Sequence, residues 1–195
     1  MMQRAVYDGA RLELRRNGKR SKVVGRFPFL SLAVIADRGK VRKERLLPGA
    51  FDFTLDDADA EVSFLYGHNF DTPLASRQAG TLALKSTDEA LEFEADILPE
   101  LEDVTHVRDA MTMLEAGLVT GISPGFRVPP AETVPGAERL DPEEGNPGVF
   151  IRSLSAVVLY ELSLVTRPAY AESQAELRAM QNASATVRQR KVFLP

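Results

Sequence analysis

Short runs in which apolar and polar residues alternate recur along this chain of 195 residues. An alternation of period two is typical of strands with one face turned toward a core, because successive side chains point to opposite faces. The clearest run, Glu61–His68, places Val62, Phe64 and Tyr66 on the same face as His68. The pattern therefore predicts a mainly β or α+β fold.

The other apolar segments predict more strands and one good helix. Further strands are predicted at residues 22–34, 80–85, 90–98, 118–128 and 154–165, and a short helix or turn at residues 50–55. Residues 103–116 carry apolar side chains at helical spacing, and Gly117 is a natural C-cap. Residues 129–148, rich in Pro, Gly and Glu, predict a mobile surface loop.

Length and composition predict one folded domain with flanking segments. The chain is 44% hydrophobic, which is enough for a substantial core. We divide it into an N-terminal segment at residues 1–21, a folded domain at residues 22–178 and a flexible tail at residues 179–195. The tail is rich in Ala, Gln and Arg and has too little apolar content to join a core.

Several classes of site and partner are disfavoured by composition. The chain has no cysteine, which excludes disulfides, thiolate metal sites and a Cys nucleophile. Two histidines make a zinc site improbable, and we expect no metal and no cofactor. A net charge of -4 without a basic stripe predicts no nucleic-acid partner. The most apolar run, residues 27–36, is too short to span a bilayer, and the N-terminus lacks a signal-peptide core, so we expect a soluble intracellular protein.

Ser123 lies in a Gly-x-Ser-x-Gly sequence formed with Gly121 and Gly125. In α/β-hydrolases this motif contains the nucleophilic serine, on a turn that leads directly into a helix. Here Pro124 and the extended run that follows it oppose a helix, so that fold is excluded. Taken alone, such a motif more often marks an ordinary strand-to-loop turn whose serine has no catalytic role.

Two further residues suit acyl-transfer chemistry. His68 ends a predicted strand, and an imidazole is the natural general base for a serine at neutral pH. The ordinary alternative is a hydrogen-bonded histidine at a turn. Glu161 lies within an apolar strand, where a carboxylate must either face solvent or have a partner, and orienting an imidazole is one such partnership.

Four segments, taken in order, resemble the tailed-phage prohead protease family. They are LLPGAFDFTL at residues 46–55, FLYGHNFDTPLA at 64–75, GLVTGISPGFRV at 117–128 and LYELSLVTRPAY at 159–170. The resemblance covers roughly residues 25–178, and it is the ordered set that makes it specific. The chain is also distantly similar to the herpesvirus assemblin proteases.

The resemblance implies a closed, mostly antiparallel β-barrel with surrounding helices, like that of the herpesvirus proteases, over residues 22–178. It also implies a serine endopeptidase of capsid maturation that works by acyl transfer. In that scheme Ser123 is the nucleophile and His68 the general base. The third member is less determined: Glu161 is our choice, and Asp71 competes with it. Because Pro124 has no N–H, the oxyanion hole must use Gly125, another amide or a side chain such as Arg167.

The same resemblance implies partners and a location. The substrates would be scaffold and major capsid proteins. The tail at residues 179–195 would be either a region of self-cleavage or a delivery signal that binds scaffold or capsid protein. Cleavage would take place in the host bacterial cytoplasm, inside the immature capsid, with no nucleic-acid or membrane partner and with homo-oligomerisation left open. The alternative is a non-catalytic capsid-assembly or scaffold-binding module on the same barrel.

Overall fold

The computed structural model describes residues 3–4, 11–17, 20–37, 40–146 and 149–166. The strands are β1 (Gln3–Arg4), β2 (Arg11–Asn17), β3 (Arg20–Pro28), β4 (Ala33–Asp37), β5 (Lys40–Leu46), β6 (Ser63–Tyr66), β7 (Asn69–Ser76), β8 (Leu82–Ser86), β9 (Ala90–Ile97), β10 (Gly121–Arg127), β11 (Glu138–Pro142), β12 (Phe150–Leu154) and β13 (Val158–Val165). The helices are α1 (Asp52–Leu55) and α2 (Thr105–Glu115), with a 3₁₀ turn at Pro99–Leu101.

The strands form three sheets, which confirms the mainly β prediction. A five-stranded sheet has the order β1-β10-β13-β6-β7, and two four-stranded sheets have the orders β11-β12-β5-β4 and β2-β3-β9-β8. The β13–β6 and β12–β5 pairs are parallel, and the other pairs are antiparallel. Within the described residues these pairings do not close into a barrel, so the closed barrel is unconfirmed.

Hydrophobic periodicity explains the best-predicted elements. In β9 the side chains of Leu91, Phe93 and Ala95 are buried while the intervening residues are exposed, so the strand covers the core with one face. Helix α2 buries Val107, Ala110 and Met111, which lie on one helical face. The helix ends at Glu115, and Gly117, just after the capping Ala116, has a φ of 68°, the left-handed conformation of a glycine that terminates a helix.

The structure corrects two predicted strands, which are broken, and one predicted loop, which contains a strand. The strand predicted at residues 22–34 divides into β3 and β4 at a turn after Pro28, because proline cannot donate to a continuing ladder. The strand predicted at residues 154–165 divides into β12 and β13. The surface loop predicted at residues 129–148 contains β11, which pairs with β12 in an antiparallel ladder.

Ion pairs explain why β11 forms a strand despite its polar sequence. Asp141 accepts hydrogen bonds from Arg45 on β5, at 2.8 Å, and from Ser153 on β12, at 2.5 Å. Those bonds, that of Ser153 first, lower the pKa of Asp141 to about 2. The carboxylate of Asp141 therefore has partners on β5 and β12, the neighbouring strands of its sheet.

The structure describes part of the N-terminal segment but none of the C-terminal tail. The N-terminal segment at residues 1–21 includes β2, which pairs with β3 along its whole length. The tail at residues 179–195 lies outside the described residues. No described helix has both the length and the apolar character needed to cross a membrane.

Strand β13 is buried on both faces and is held in place by α1. Leu162 and Leu164 join the hydrophobic core on one face, while Glu161 and Ser163 are fully buried on the other. The buried Thr54 of α1 donates a hydrogen bond to the carbonyl of Val157 and accepts one from the N–H of Leu159. Its hydroxyl thus fixes the start of the strand that carries the polar residues.

Candidate active site

Four residues of two neighbouring strands share one face of the five-stranded sheet. Ser123 of β10 pairs with Ser163 of β13, and Gly125 pairs with Glu161 two residues further along. Paired residues point to the same face, as do residues two apart in a strand. Ser123, Glu161 and Ser163 are each 0% exposed, so this face carries a buried polar cluster.

His68 reaches this face from a tight turn between β6 and β7. Tyr66 pairs with Asn69, which leaves Gly67 and His68 as a two-residue hairpin loop. Their φ angles are 69° and 61°, the pair of left-handed conformations that defines a type I′ turn. The strand predicted to end in His68 therefore ends at Tyr66, and the turn directs the imidazole.

The imidazole of His68 is bonded to the buried carboxylate. His68 Nδ1 lies 2.7 Å from Glu161 Oε1, and the His68 side chain is only 12% exposed. A carboxylate oxygen accepts, so Nδ1 carries the proton, and in that tautomer of the neutral imidazole Nε2 is the acceptor nitrogen. Glu161 is buried within an apolar strand, where an unpaired carboxylate would be costly, and His68 is its partner.

Ser163 is a site residue that sequence reasoning missed. Its hydroxyl donates to Glu161 Oε2 at 2.5 Å and accepts the backbone N–H of His68 at 3.1 Å. The available signal was its position two residues after Glu161 in the same strand, which places both side chains on one face.

A close contact explains the glycine at residue 125. A Cβ built on Gly125 would lie 2.0 Å from Glu161 Oε1 and 2.6 Å from its Cδ. The side chain of Glu161 therefore occupies the space that any larger residue at 125 would need. The second glycine of the Gly-x-Ser-x-Gly sequence thus serves the carboxylate rather than a nucleophile turn.

The other predictions concern Asp71 as the third residue and Gly125 and Arg167 as oxyanion donors. Asp71 is exposed on β7, and its backbone N–H bonds Asn69 Oδ1 at 3.0 Å. Arg167 lies outside the described residues. Gly125 has a strand partner on each side, Glu161 and Arg4, an arrangement that disfavours its N–H as an oxyanion donor.

The second histidine belongs to a different region. His106, in the first turn of α2, is half-buried, and its Nε2 lies 2.9 Å from the carbonyl oxygen of Pro73, to which it donates. In the described part of the chain, no group of three or more His, Cys, Asp or Glu side chains is placed to hold a metal ion.

Comparisons with known proteins give one match. A family model described as caudovirus prohead serine protease matches residues 33–187, a span that includes His68, Ser123 and Glu161. Searches of curated proteins and of solved structures give no significant match.

Proposed function

Because this chain belongs to the caudovirus prohead serine protease family, we propose that it matures phage capsids through Ser123 as nucleophile, His68 as general base and Glu161 as the partner of the imidazole. Membership makes the protein a serine protease, hence a hydrolase. The single observation that carries the residue assignment is the 2.7 Å contact of His68 Nδ1 with Glu161 Oε1, on the sheet face that also bears Ser123.

The proposed reaction is acyl transfer. Ser123 Oγ attacks the peptide carbonyl carbon while its proton passes to Nε2 of His68. The peptide C–N bond then breaks, and the leaving amine takes that proton. Water hydrolyses the acyl-enzyme by the same route, with His68 again as base. Glu161 holds the tautomer with the proton on Nδ1 and stabilises the imidazolium between the steps.

Contacts favour Glu161 over Asp71 as the third residue. Glu161 is fully buried and contacts the ring directly, whereas Asp71 is exposed. A carboxylate excluded from water interacts more strongly with a developing imidazolium than one screened by solvent.

The oxyanion donors are the least determined part of the proposal. Pro124 has no N–H, and Gly125 is flanked by strands on both sides. Arg167 therefore remains in the proposal as a donor on sequence grounds alone. A single donor of this kind is worth about 3–4 kcal/mol in other proteases.

We assign the substrates from the family. Scaffold and major capsid proteins are the proposed substrates, cleaved inside the immature capsid in the host cell, and residues 179–195 are a proposed self-cleavage region. Mass spectrometry of purified wild-type and Ser123→Ala protein tests the last point, because shortening of the tail should require Ser123. A herpesvirus-like closure of the three sheets into one barrel is part of the same proposal.

Access to the nucleophile requires movement. Ser123 is 0% exposed, so the chain that covers it must open before a peptide carbonyl reaches Oγ. We therefore expect a fluorophosphonate to label Ser123 slowly, at a rate set by this opening.

Loss of the nucleophile tests the proposal. Ser123→Ala should remain folded and fail to process a co-expressed scaffold protein, and it should not react with the fluorophosphonate. Processing by Ser123→Ala would exclude Ser123 as the nucleophile. A wild-type protein that binds scaffold but neither cleaves it nor reacts would instead support the non-catalytic assembly module.

A further inference from the structure

The hydroxyl of Ser163 joins two parts of the proposed site. It accepts the N–H of His68 at 3.1 Å and donates its proton to Glu161 Oε2 at 2.5 Å. A serine hydroxyl has one proton, so this proton is committed to the carboxylate. Ser163 is fully buried, so water does not compete for these bonds.

These contacts close a ring of hydrogen bonds. The backbone of His68 donates to Ser163, Ser163 donates to one oxygen of Glu161, and the other oxygen of Glu161 lies 2.7 Å from His68 Nδ1. The main chain and the imidazole of His68 are therefore both tied to the carboxylate. This closed set of hydrogen bonds restrains the position of the imidazole as well as its tautomer.

The backbone of His68 needs this restraint. Its φ of 61° makes it one of two non-glycine residues with positive φ in the part of the chain that the structure describes. A residue with a Cβ adopts that conformation at a cost, and surrounding contacts must maintain it. Ser163 binds the His68 N–H, and the carbonyl of Leu164 accepts the Gly67 N–H at 3.0 Å. Two consecutive residues of β13 thus hold two consecutive residues of the turn.

We propose that Ser163 is a positioning residue of the reaction. Its hydroxyl holds the His68 main chain in the left-handed conformation and fixes the carboxylate of Glu161 beneath the imidazole. The part of this inference that concerns turnover rests on the proposed function. The part that concerns the geometry of His68 does not.

The chain offers a matched control for removal of the hydroxyl. Ser153 is also a buried strand serine, and its Oγ donates to the carboxylate of Asp141 at 2.5 Å, the same length as the Ser163–Glu161 bond. It lies on β12, in a different sheet. Ser153→Ala therefore removes an equivalent hydroxyl–carboxylate bond without touching His68.

The experiment compares Ser163→Ala, Ser163→Thr and Ser153→Ala in the full chain by two readouts. The first is kcat and KM over a range of pH on a cleavable scaffold peptide. The second is the proton NMR signal of the imidazole N–H groups, which is simple to assign because the chain has two histidines. The hydrogen-bonded Nδ1 proton of His68 should appear far downfield.

We expect Ser163→Ala to lower kcat on the order of 10²-fold with KM unchanged, as misplacement of a catalytic group by about 1 Å does. The Nδ1 signal should move upfield or broaden, and the pH profile should change. Ser163→Thr, which keeps the hydroxyl, should restore both readouts toward the wild type. Ser153→Ala should keep the wild-type kcat and Nδ1 signal per folded molecule.

Other outcomes overturn the proposal. It fails if Ser163→Ala keeps the wild-type kcat and Nδ1 signal, or if Ser153→Ala lowers kcat equally. It also fails if a fluorophosphonate labels Ser163 instead of Ser123. Should Ser163→Ala not fold, Ser163→Cys, with a weaker donor of similar size, should show the same changes to a smaller degree. If the wild type proves inactive, the proposed function fails, while the NMR comparison still decides whether Ser163 positions His68.

Discussion

The carboxylate of Glu161 packs directly over the main chain of Gly125. A Cβ at residue 125 would lie 2.0 Å from Glu161 Oε1, which is also the oxygen that contacts His68 Nδ1. Residue 125 therefore influences the proposed general base through Glu161, although residue 125 itself has no side chain with which to take part in chemistry.

Gly125→Ala should nearly abolish peptidase activity because the added methyl group must displace the Glu161 carboxylate from His68. The loss in kcat should be on the order of 10²-fold or more. Peptide cleavage assays at matched folded concentration measure it. Gly80→Ala is the control. Its φ of 69° makes the substitution destabilising, but a Cβ there meets nothing within 4 Å, so the variant should retain activity per folded molecule.

A second-site change sharpens this prediction. Glu161→Asp shortens the side chain by one methylene and makes room at residue 125. The double variant Gly125→Ala/Glu161→Asp should therefore be more active than Gly125→Ala alone. A double variant no more active than the single one would show that the methyl group acts by another route.

Glu161→Gln should lower kcat on the order of 10⁴-fold, the size of the effect when the acid of a serine-protease triad becomes an amide. The amide can offer an N–H to Nδ1 and so favour the imidazole tautomer with its proton on Nε2, which cannot act as base. Asp71→Asn, at an exposed position of β7, should leave kcat within a few-fold of wild type. If steady-state kinetics show a larger loss of kcat for Asp71→Asn than for Glu161→Gln, Asp71 is the residue that orients the imidazole.

Gly67→Ala should destabilise the turn that carries His68. Gly67 has a φ of 69° and open space around its Cβ position, so the cost is conformational and about 1–2 kcal/mol. Gly67→Asn should cost less, because asparagine tolerates the left-handed region. Urea unfolding gives the two free energies of unfolding. Equal values for Ala and Asn would mean that the turn is not left-handed at this residue.

Asp141→Asn should be less stable than the wild type at neutral pH. The pKa of Asp141 is lowered to about 2 in the folded protein, from the ordinary value of 3.8, first by the hydrogen bond from Ser153 and then by that from Arg45. The stabilisation is therefore present above pH about 4 and is lost as the pH falls through 3.8 toward 2. Thermal unfolding of both proteins should show a difference in Tm at pH 7 that shrinks toward pH 2. A difference that does not depend on pH would attribute the effect to packing instead of charge.

The order of motifs predicted the residue types of the site but not their contacts. Ser123, His68 and Glu161 were named from segments that are far apart in the chain, on the residue types that acyl transfer needs. Ser163 and the role of Gly125 were missed because both depend on how β10, β13 and β6 pair. The loop predicted at residues 129–148 missed β11 (Glu138–Pro142) for a related reason: Asp141 has its partners on other strands.

The amino-acid sequence by itself determined the mainly β class, the helix that Gly117 terminates and the residue types available for chemistry, because periodicity and turn preference are local properties. Only the tertiary structure decided that Ser123, Glu161 and Ser163 share one buried face and that His68 leaves its strand in a left-handed turn. The physical reason is strand register, since a slip of one residue between β10 and β13 would turn Ser123 to the opposite face from Glu161. That register depends on pairing between distant segments of the chain.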